Sequence, residues 1–354
     1  MEKSLIVSLA SFTSFAFGIM NRNRPLKNLY SPLNLNELKL PILIIAPHPD
    51  DEWISSAGLI HEVSNRGYSS EIDIVVISNG EAFRRIDQKW KKHNSIPLAE
   101  ERKLETIEEL SFLMNKPANP EFIELRDGTI ADAFIHKDKN RLLYNYNIFT
   151  NLILRKNYGT YIFPFIFDEH SDHWGASLYT IMALIRLSLK SKREVMNRNH
   201  LMYLTHFPKF PLRGTSEKSR IVFPQQGNRE NYLEFNLSPE NYVAKKLSLN
   251  FLKSQNVDFR NSIMLRNFIK KNEPFIRIDL GESSGMHNLG NDNKKPLSEE
   301  LFNYNFIFSK EGNLTLVDLD DTNSNYENSL SVTFTKIGNF IKVCDLKHSV
   351  QKVV

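Results

Sequence analysis

At 354 residues, with 41% hydrophobic and 24% charged side chains, the chain has the length for one large globular domain, or one domain with an appendage. Its net charge of +4, from 45 basic and 41 acidic residues, is too small and too scattered to mark a nucleic-acid track. The single cysteine, Cys344, excludes an intrachain disulfide framework and a cysteine-built zinc site, so any metal chemistry falls to the ten histidines and the carboxylates.

In chain order, the first feature is an uncharged, mostly apolar run from Ser4 to Met20, with Lys3 before it and Arg22, Arg24 and Lys27 after it. Serines and threonines dilute it, and it falls short of the roughly 20 residues of a spanning helix. Ala16-Phe17-Gly18 is only a tolerable signal-peptidase site. A membrane anchor, a secretory signal and a helix packed on the domain all stay open. As an anchor, its trailing basic cluster would keep the body of the protein in the cytoplasm.

The run Leu40 to Ala46 (LPILIIA) is short, continuous and branched, the pattern of a strand buried on both faces. Trp53, Ala57, Ile60 and Val63 then recur at helical spacing up to a stop at Gly67, and Ile72 to Ser78 (IDIVVIS) reads as a second buried strand. Strand, helix and strand within about 40 residues predict a parallel unit with a right-handed crossover. The alternation continues with helices over about 99–114, 146–156 and 174–190, and strands near 122–125, 160–163 and 201–205. This is the order of a doubly wound α/β domain. Pro239 to Gln255 looks helical, and alternating runs near 302–308, 314–319, 330–334 and 340–343 predict a small antiparallel β unit. The expected division is an N-terminal segment and linker (1–39), a main domain (40–280) and a β-rich extension (281–354).

Two clusters follow predicted strand ends: His48-Pro49-Asp50-Asp51-Glu52 and His170-Ser171-Asp172-His173. Ligands bind outside the carboxyl ends of strands in such sheets, so segments about 120 residues apart can meet there. A catalytic zinc site needs three His or carboxylate ligands and an open position, and His48, Asp51 and His173 can fill those places. Asp50 is the natural general base for the activated water. His170 is placed to stabilise an oxyanion or protonate a leaving amine, staying cationic with Asp172 or Asp168 orienting it. Taken singly, Asp50 could equally be a helix cap and each histidine a surface loop group. Two metal-type clusters at one sheet edge are what favour chemistry.

Pro47-His48-Pro49-Asp50-Asp51-Glu52 and His170-Ser171-Asp172-His173 resemble the two signatures of the PIG-L or LmbE-like deacetylase family. The likeness extends to Ala57-Gly58, Asn79-Gly80-Glu81, Arg102 with Glu105, and Asp127-Gly128, and more loosely to 246–255 and Glu273-Pro274-Phe275. It implies a Rossmann-like fold and a divalent metal, usually zinc, on His48, Asp51 and His173. It also implies Asp50 as base, His170 as acid or oxyanion stabiliser with Asp172 orienting it, and Arg102 and Asp127 gripping sugar hydroxyls. The implied substrate is an N-acetylglucosamine-type conjugate that loses its acetyl group. The competing readings are a zinc hydrolase of another amide or ester, and a non-catalytic metal-dependent carbohydrate-binding protein. Lys89-Trp90-Lys91-Lys92-His93 reads as a solvated face that could touch an anionic aglycone, and His206 as a surface or pocket residue.

Overall fold

The computed structural model describes residues 30–190, 198–207, 210–211, 219–223 and 232–278, together with four strands between 304 and 352. The apolar run 4–20 lies outside the described residues. Among the described residues, no helix is long and apolar enough to cross a membrane.

An eight-stranded sheet forms the frame, assembled from β1 (Ser31–Pro32), β2 (Ile42–Ala46), β3 (Ile72–Ser78), β4 (Glu121–Leu125), β5 (Thr160–Pro164), β6 (Asn199–Tyr203), β7 (Tyr232–Asn236) and β8 (Asn272–Arg277). Its order is β1-β7-β8-β6-β5-β2-β3-β4. All neighbours are parallel except β8, which runs against both β6 and β7. From β2 the chain winds outward through β3 and β4, then returns to place β5 on the other side of β2. The switch in winding direction therefore lies between β2 and β5, where an α/β sheet opens a crevice at its carboxyl edge.

Because side chains alternate across a strand, β2 feeds two cores. Leu43 and Ile45 point into one, packed with Val75, Phe163, Trp174 and Tyr179. Ile42 and Ile44 point into the other, with Trp53, Ile74, Leu110 and Ile162. The first core is covered by α5 (Lys139–Leu154) and α6 (Ser171–Lys190), the second by α1 (Asp51–Asn65), α3 (Leu98–Met114) and α7 (Pro239–Ser248). Each fully buried Ile or Leu contributes about 1.5–3 kcal/mol, so this two-sided burial is what fixes β2 at the centre.

Shorter helices complete the domain: α2 (Arg84–Trp90), α4 (Asp132–Ile135), α8 (Lys253–Asn256) and α9 (Phe259–Arg266). Two boundaries differ from expectation. The helix expected from Tyr146 begins at Lys139, because Asp138 caps it by accepting from the Arg141 amide at 3.1 Å. The helix expected over Pro239 to Gln255 ends at Ser248 and continues as a 3-10 turn, Leu249–Phe251, and then α8. The C-terminal strands β9 (Tyr304–Phe308), β10 (Leu314–Asp318), β11 (Tyr326–Ile337) and β12 (Phe340–Lys352) form an antiparallel sheet, with β11 and β12 longer than the runs that predicted them.

Candidate active site

The site gathers at the carboxyl ends of the central strands. β2 ends at Ala46, and the Pro47 carbonyl accepts from both the amide and the hydroxyl of Ser78 at 2.9 Å, tying the turn to the end of β3. Asp50 then takes φ 111° and ψ −22°, a left-handed backbone that non-glycine residues rarely hold. Its side chain makes no capping bond to α1, which removes the reading of Asp50 as an ordinary helix cap. Its amide donates to the Glu52 carboxylate at 3.2 and 3.3 Å, and its Oδ2 lies 3.1 Å from an Arg102 guanidinium nitrogen. Burial outweighs that guanidinium and pushes the Asp50 carboxyl up to about 7.

Asp51, one residue on, is held in the opposite state. Its Oδ2 accepts from the His48 amide at 3.0 Å and stands 3.3 Å from His48 Nδ1 and 3.2 Å from His173 Nε2. Burial opposes its charge, but the two imidazoles win and hold its carboxyl well below the usual range. His173 is fully buried, and neither ring nitrogen makes a hydrogen bond. Burial works against its protonation, but Asp51 and Asp168, whose Oδ2 is 3.5 Å from Nδ1, raise it to about 10. His48 Nε2 faces Asp127 Oδ1 at 3.1 Å and Asp172 Oδ2 at 3.2 Å, and these carboxylates with Asp51 lift its protonation well above the ordinary imidazole range against burial.

A metal fits this donor set. Ligand atoms at zinc-like bond lengths around a tetrahedral ion stand about 3.4 Å apart, close to the separations of Asp51 Oδ2 from His48 and His173. The carboxylates that favour a charged His48 or His173 would equally favour a dication, and the unbonded His173 Nε2, on the Asp51 side of the ring, is a buried atom that a cation would satisfy. Among the described residues, the groups whose ligand atoms all lie within 4.8 Å of one another are His48 with His170 and His173, and His48 with Asp127 and Asp172, while Asp51 stands beside His48 and His173 in turn. Asp172 is the least free to ligate, with both oxygens accepting, from the amides of Gly128 at 2.7 Å and Ile130 at 3.0 Å; Asp127 accepts from the Ala82 amide at 2.7 Å through Oδ2 and turns Oδ1 to His48.

Two expectations about His170 need correction. The Asp172 carboxylate does not reach it; the first turn of α6 aims that carboxylate at the 128–130 backbone and at His48, and only the Asp172 amide meets His170, donating to Nδ1 at 3.3 Å. Nor is His170 cationic. Burial and the neighbouring rings of His48, His173 and His206 hold its protonation well below the ordinary range. With Nδ1 accepting, the network assigns the neutral ring's proton to Nε2. Asp168 is the carboxylate that organises this corner, accepting from the amides of His170 at 2.9 Å, Thr205 at 3.1 Å and His206 at 3.0 Å.

Arg102 spends its donors within the protein. It donates to the carbonyls of Gly80, at 2.8 Å, and Pro49, and to Asp50. Gln255, turned so that both amide atoms are satisfied, accepts from its Nε at 2.7 Å. Both Arg102 and Asp127 border a cleft of about 390 Å³ that also exposes His48, Asp50 and His170. Asp51, Asp172 and His173 lie beneath its surface, at or below 1% exposure. The far wall comes from late in the chain: His206, Gln255, Asn261 and Met264. No local pattern in the sequence marks Asn261 or Met264, whereas His206 is a histidine a few steps past a strand.

Residues 43–184 match the family model described as PIG-L: GlcNAc-PI de-N-acetylase. Over that stretch the α/β domain resembles the PIG-L family. The matched PIG-L segment takes in His48 through Glu52, Arg102, Asp127 and His170 through His173, and stops before the far wall of the cleft. No curated protein matches the chain. Solved structures similar to it include an N,N'-diacetylchitobiose deacetylase from Pyrococcus horikoshii, 14% identical with a TM-score of 0.46 over 73% of this chain and 87% of that one. A teicoplanin deacetylase is 15% identical with a TM-score of 0.46, over 67% and 98% of the two chains. A 4-carboxy-2-hydroxymuconate hydratase from Pseudomonas putida is 13% identical with a TM-score of 0.43, over 72% and 99%.

Proposed function

We propose that this PIG-L-like domain is a zinc-dependent hydrolase that removes the acetyl group from an N-acetylglucosamine-type conjugate. His48, Asp51 and His173 would hold the ion. When bound, a divalent ion supplies a Lewis acid that acidifies a water and polarises the amide carbonyl. The observation that carries the reading is Asp50: released from helix capping, open to the cleft beside the ligand set, and poised near neutrality.

Asp50 takes a proton from the attacking water, and Arg102 keeps its carboxylate in place. His170, neutral with its proton on Nε2, donates to the developing oxyanion. A histidine held neutral is a poor store for the proton that the amine requires. Asp50, which has just gained one, returns it to the nitrogen as the carbon–nitrogen bond breaks. The products are acetate and a free amine. Asp168 positions His173, and Asp172 positions His48.

The test is acetate release from N-acetylglucosaminyl conjugates by the zinc-loaded protein and by Asp50→Asn. The substitution should abolish turnover with the bound zinc unchanged, because Asp50 is assigned as base and not as ligand. Full activity in that variant would sink the mechanism.

A further inference from the structure

Beside the mouth of the cleft lies a surface that hydrolysis leaves unused. Asp258 joins two helices there: it caps α9 by accepting from the amides of Arg260 at 3.1 Å and Asn261 at 3.2 Å, and it pairs with Arg85 at 2.9 Å and Lys89 at 2.6 Å on α2. Phe83, at the head of α2, and Met264, on α9, line the same cleft. The outward face of α9 carries Phe259 and Ile263 one turn apart, with Val257 just before the helix. Phe259 is 76% exposed, more than any other large apolar residue described, and Val257, Ile263 and Phe83 are exposed as well. Nothing in α9's own packing asks for this, since Asn261 and Leu265 already bury its inner side.

Charge concentrates around that apolar face. Residues 83–92 and 257–266 carry seven Lys or Arg against two Asp, an excess of five where the whole chain has only four. Both aspartates are already paired, Asp87 with Lys91 at 2.7 Å and Asp258 with α2. Arg84, Lys92, Arg260 and Arg266 are exposed and reach solvent around the rim.

We propose that this face docks on an anionic lipid bilayer, turning the mouth of the cleft toward the membrane surface. Exposed phenyl and branched aliphatic side chains enter the acyl boundary while a basic rim meets the headgroup phosphates. A nucleic-acid strand calls for aromatic platforms along a basic groove, and Val257 and Ile263 offer a base nothing to stack on. The surface is separate in sequence from the apolar run 4–20 and independent of the hydrolytic reading.

The experiment is flotation of the full chain with vesicles of phosphatidylcholine alone and of phosphatidylcholine with phosphatidylserine. The wild-type protein should float with the anionic vesicles, and raised salt should release it. Lys92→Glu/Arg260→Glu should weaken partitioning on the order of fivefold or more per residue, and Phe259→Ser/Ile263→Ser should weaken it comparably. Unchanged thermal melting of both variants would show that they remain folded. The proposal is overturned if the wild type does not float, if it floats equally with uncharged vesicles, or if both variants float as the wild type does. The last result would assign any membrane affinity to another segment. Retention on a single-stranded oligonucleotide without flotation would likewise overturn it, in favour of a nucleic-acid partner.

Discussion

Lys245 and Glu273 form a fully buried ion pair at 2.7 Å that grips α1 from outside. The ammonium also donates to the Ile54 carbonyl at 2.9 Å, and the carboxylate accepts from the amides of Gly58 at 2.8 Å and Leu59 at 2.9 Å. Ile54 and Gly58 are the two ends of one helical turn, so the pair clamps that turn a few residues beyond Asp51. In Lys245→Met, the carboxylate keeps two amide donors but loses its countercharge, and the Ile54 carbonyl loses a donor. Removing one partner of a buried pair costs about 3–5 kcal/mol, mostly the penalty of the charge left behind. Methionine refills much of the lysine stem's volume beside Trp53, so packing loss adds little. The midpoint of unfolding should fall by roughly 10 °C. The double variant Lys245→Met/Glu273→Gln removes both charges, and glutamine still accepts from one of the two amides. It should therefore be more stable than the sum of the single effects by about 1–3 kcal/mol. Reversible urea unfolding of the wild type, both singles and the double measures all four corners. A loss under about 1 kcal/mol in Lys245→Met, or strict additivity in the cycle, would refute the account of the pair as a coupled clamp.

Glu105 provides a pH test away from the metal ligands. It accepts from the amide and hydroxyl of Ser254, yet burial dominates and raises its carboxyl to about 7. A carboxyl raised on folding binds more protons in the native than in the unfolded state, so stability should fall as pH rises from about 4.5 to 7, by up to about 3 kcal/mol. Glu105→Gln should flatten that slope in urea titrations across the window, and an unchanged slope would count against it. Gly80 has φ +67°, and a methyl group there would overlap the Arg102 guanidinium. Gly80→Ala should therefore cost about 1–3 kcal/mol in stability and, by loosening Arg102 from Asp50, lower the rate of acetate release more than it alters zinc affinity. Equal losses in the two readouts would assign Gly80 to general folding alone.

The parts of the fold legible in the sequence are those whose burial is uniform. β2, β3 and β5 are unbroken or nearly unbroken apolar runs, and the clusters at 48–52 and 170–173 could be placed at strand ends for that reason. β7 and β8 hide because polar residues interrupt their buried apolar positions. Glu234 is neutralised by Arg220, the Asn272 side chain bonds the backbone of Ile221, and Glu273 is answered by Lys245. Each looks like a surface residue until its partner, 14 to 51 positions away in the chain, is known. The same distinction divides the site. Which residue types could bind a metal was readable, because His48, Asp51 and His173 carry that chemistry in any setting. Which carboxylate serves which imidazole was not. Asp168 and Asp172 each lie within two residues of His170, and α6 decides between them by turning Asp172 inward onto the Gly128 and Ile130 amides. His170 is thereby left without the Asp172 carboxylate on its ring, and burial, with the neighbouring imidazoles, holds its protonation well below the ordinary range. The donor role argued for it follows from that three-dimensional accident of helix phase, which no spacing of letters contains.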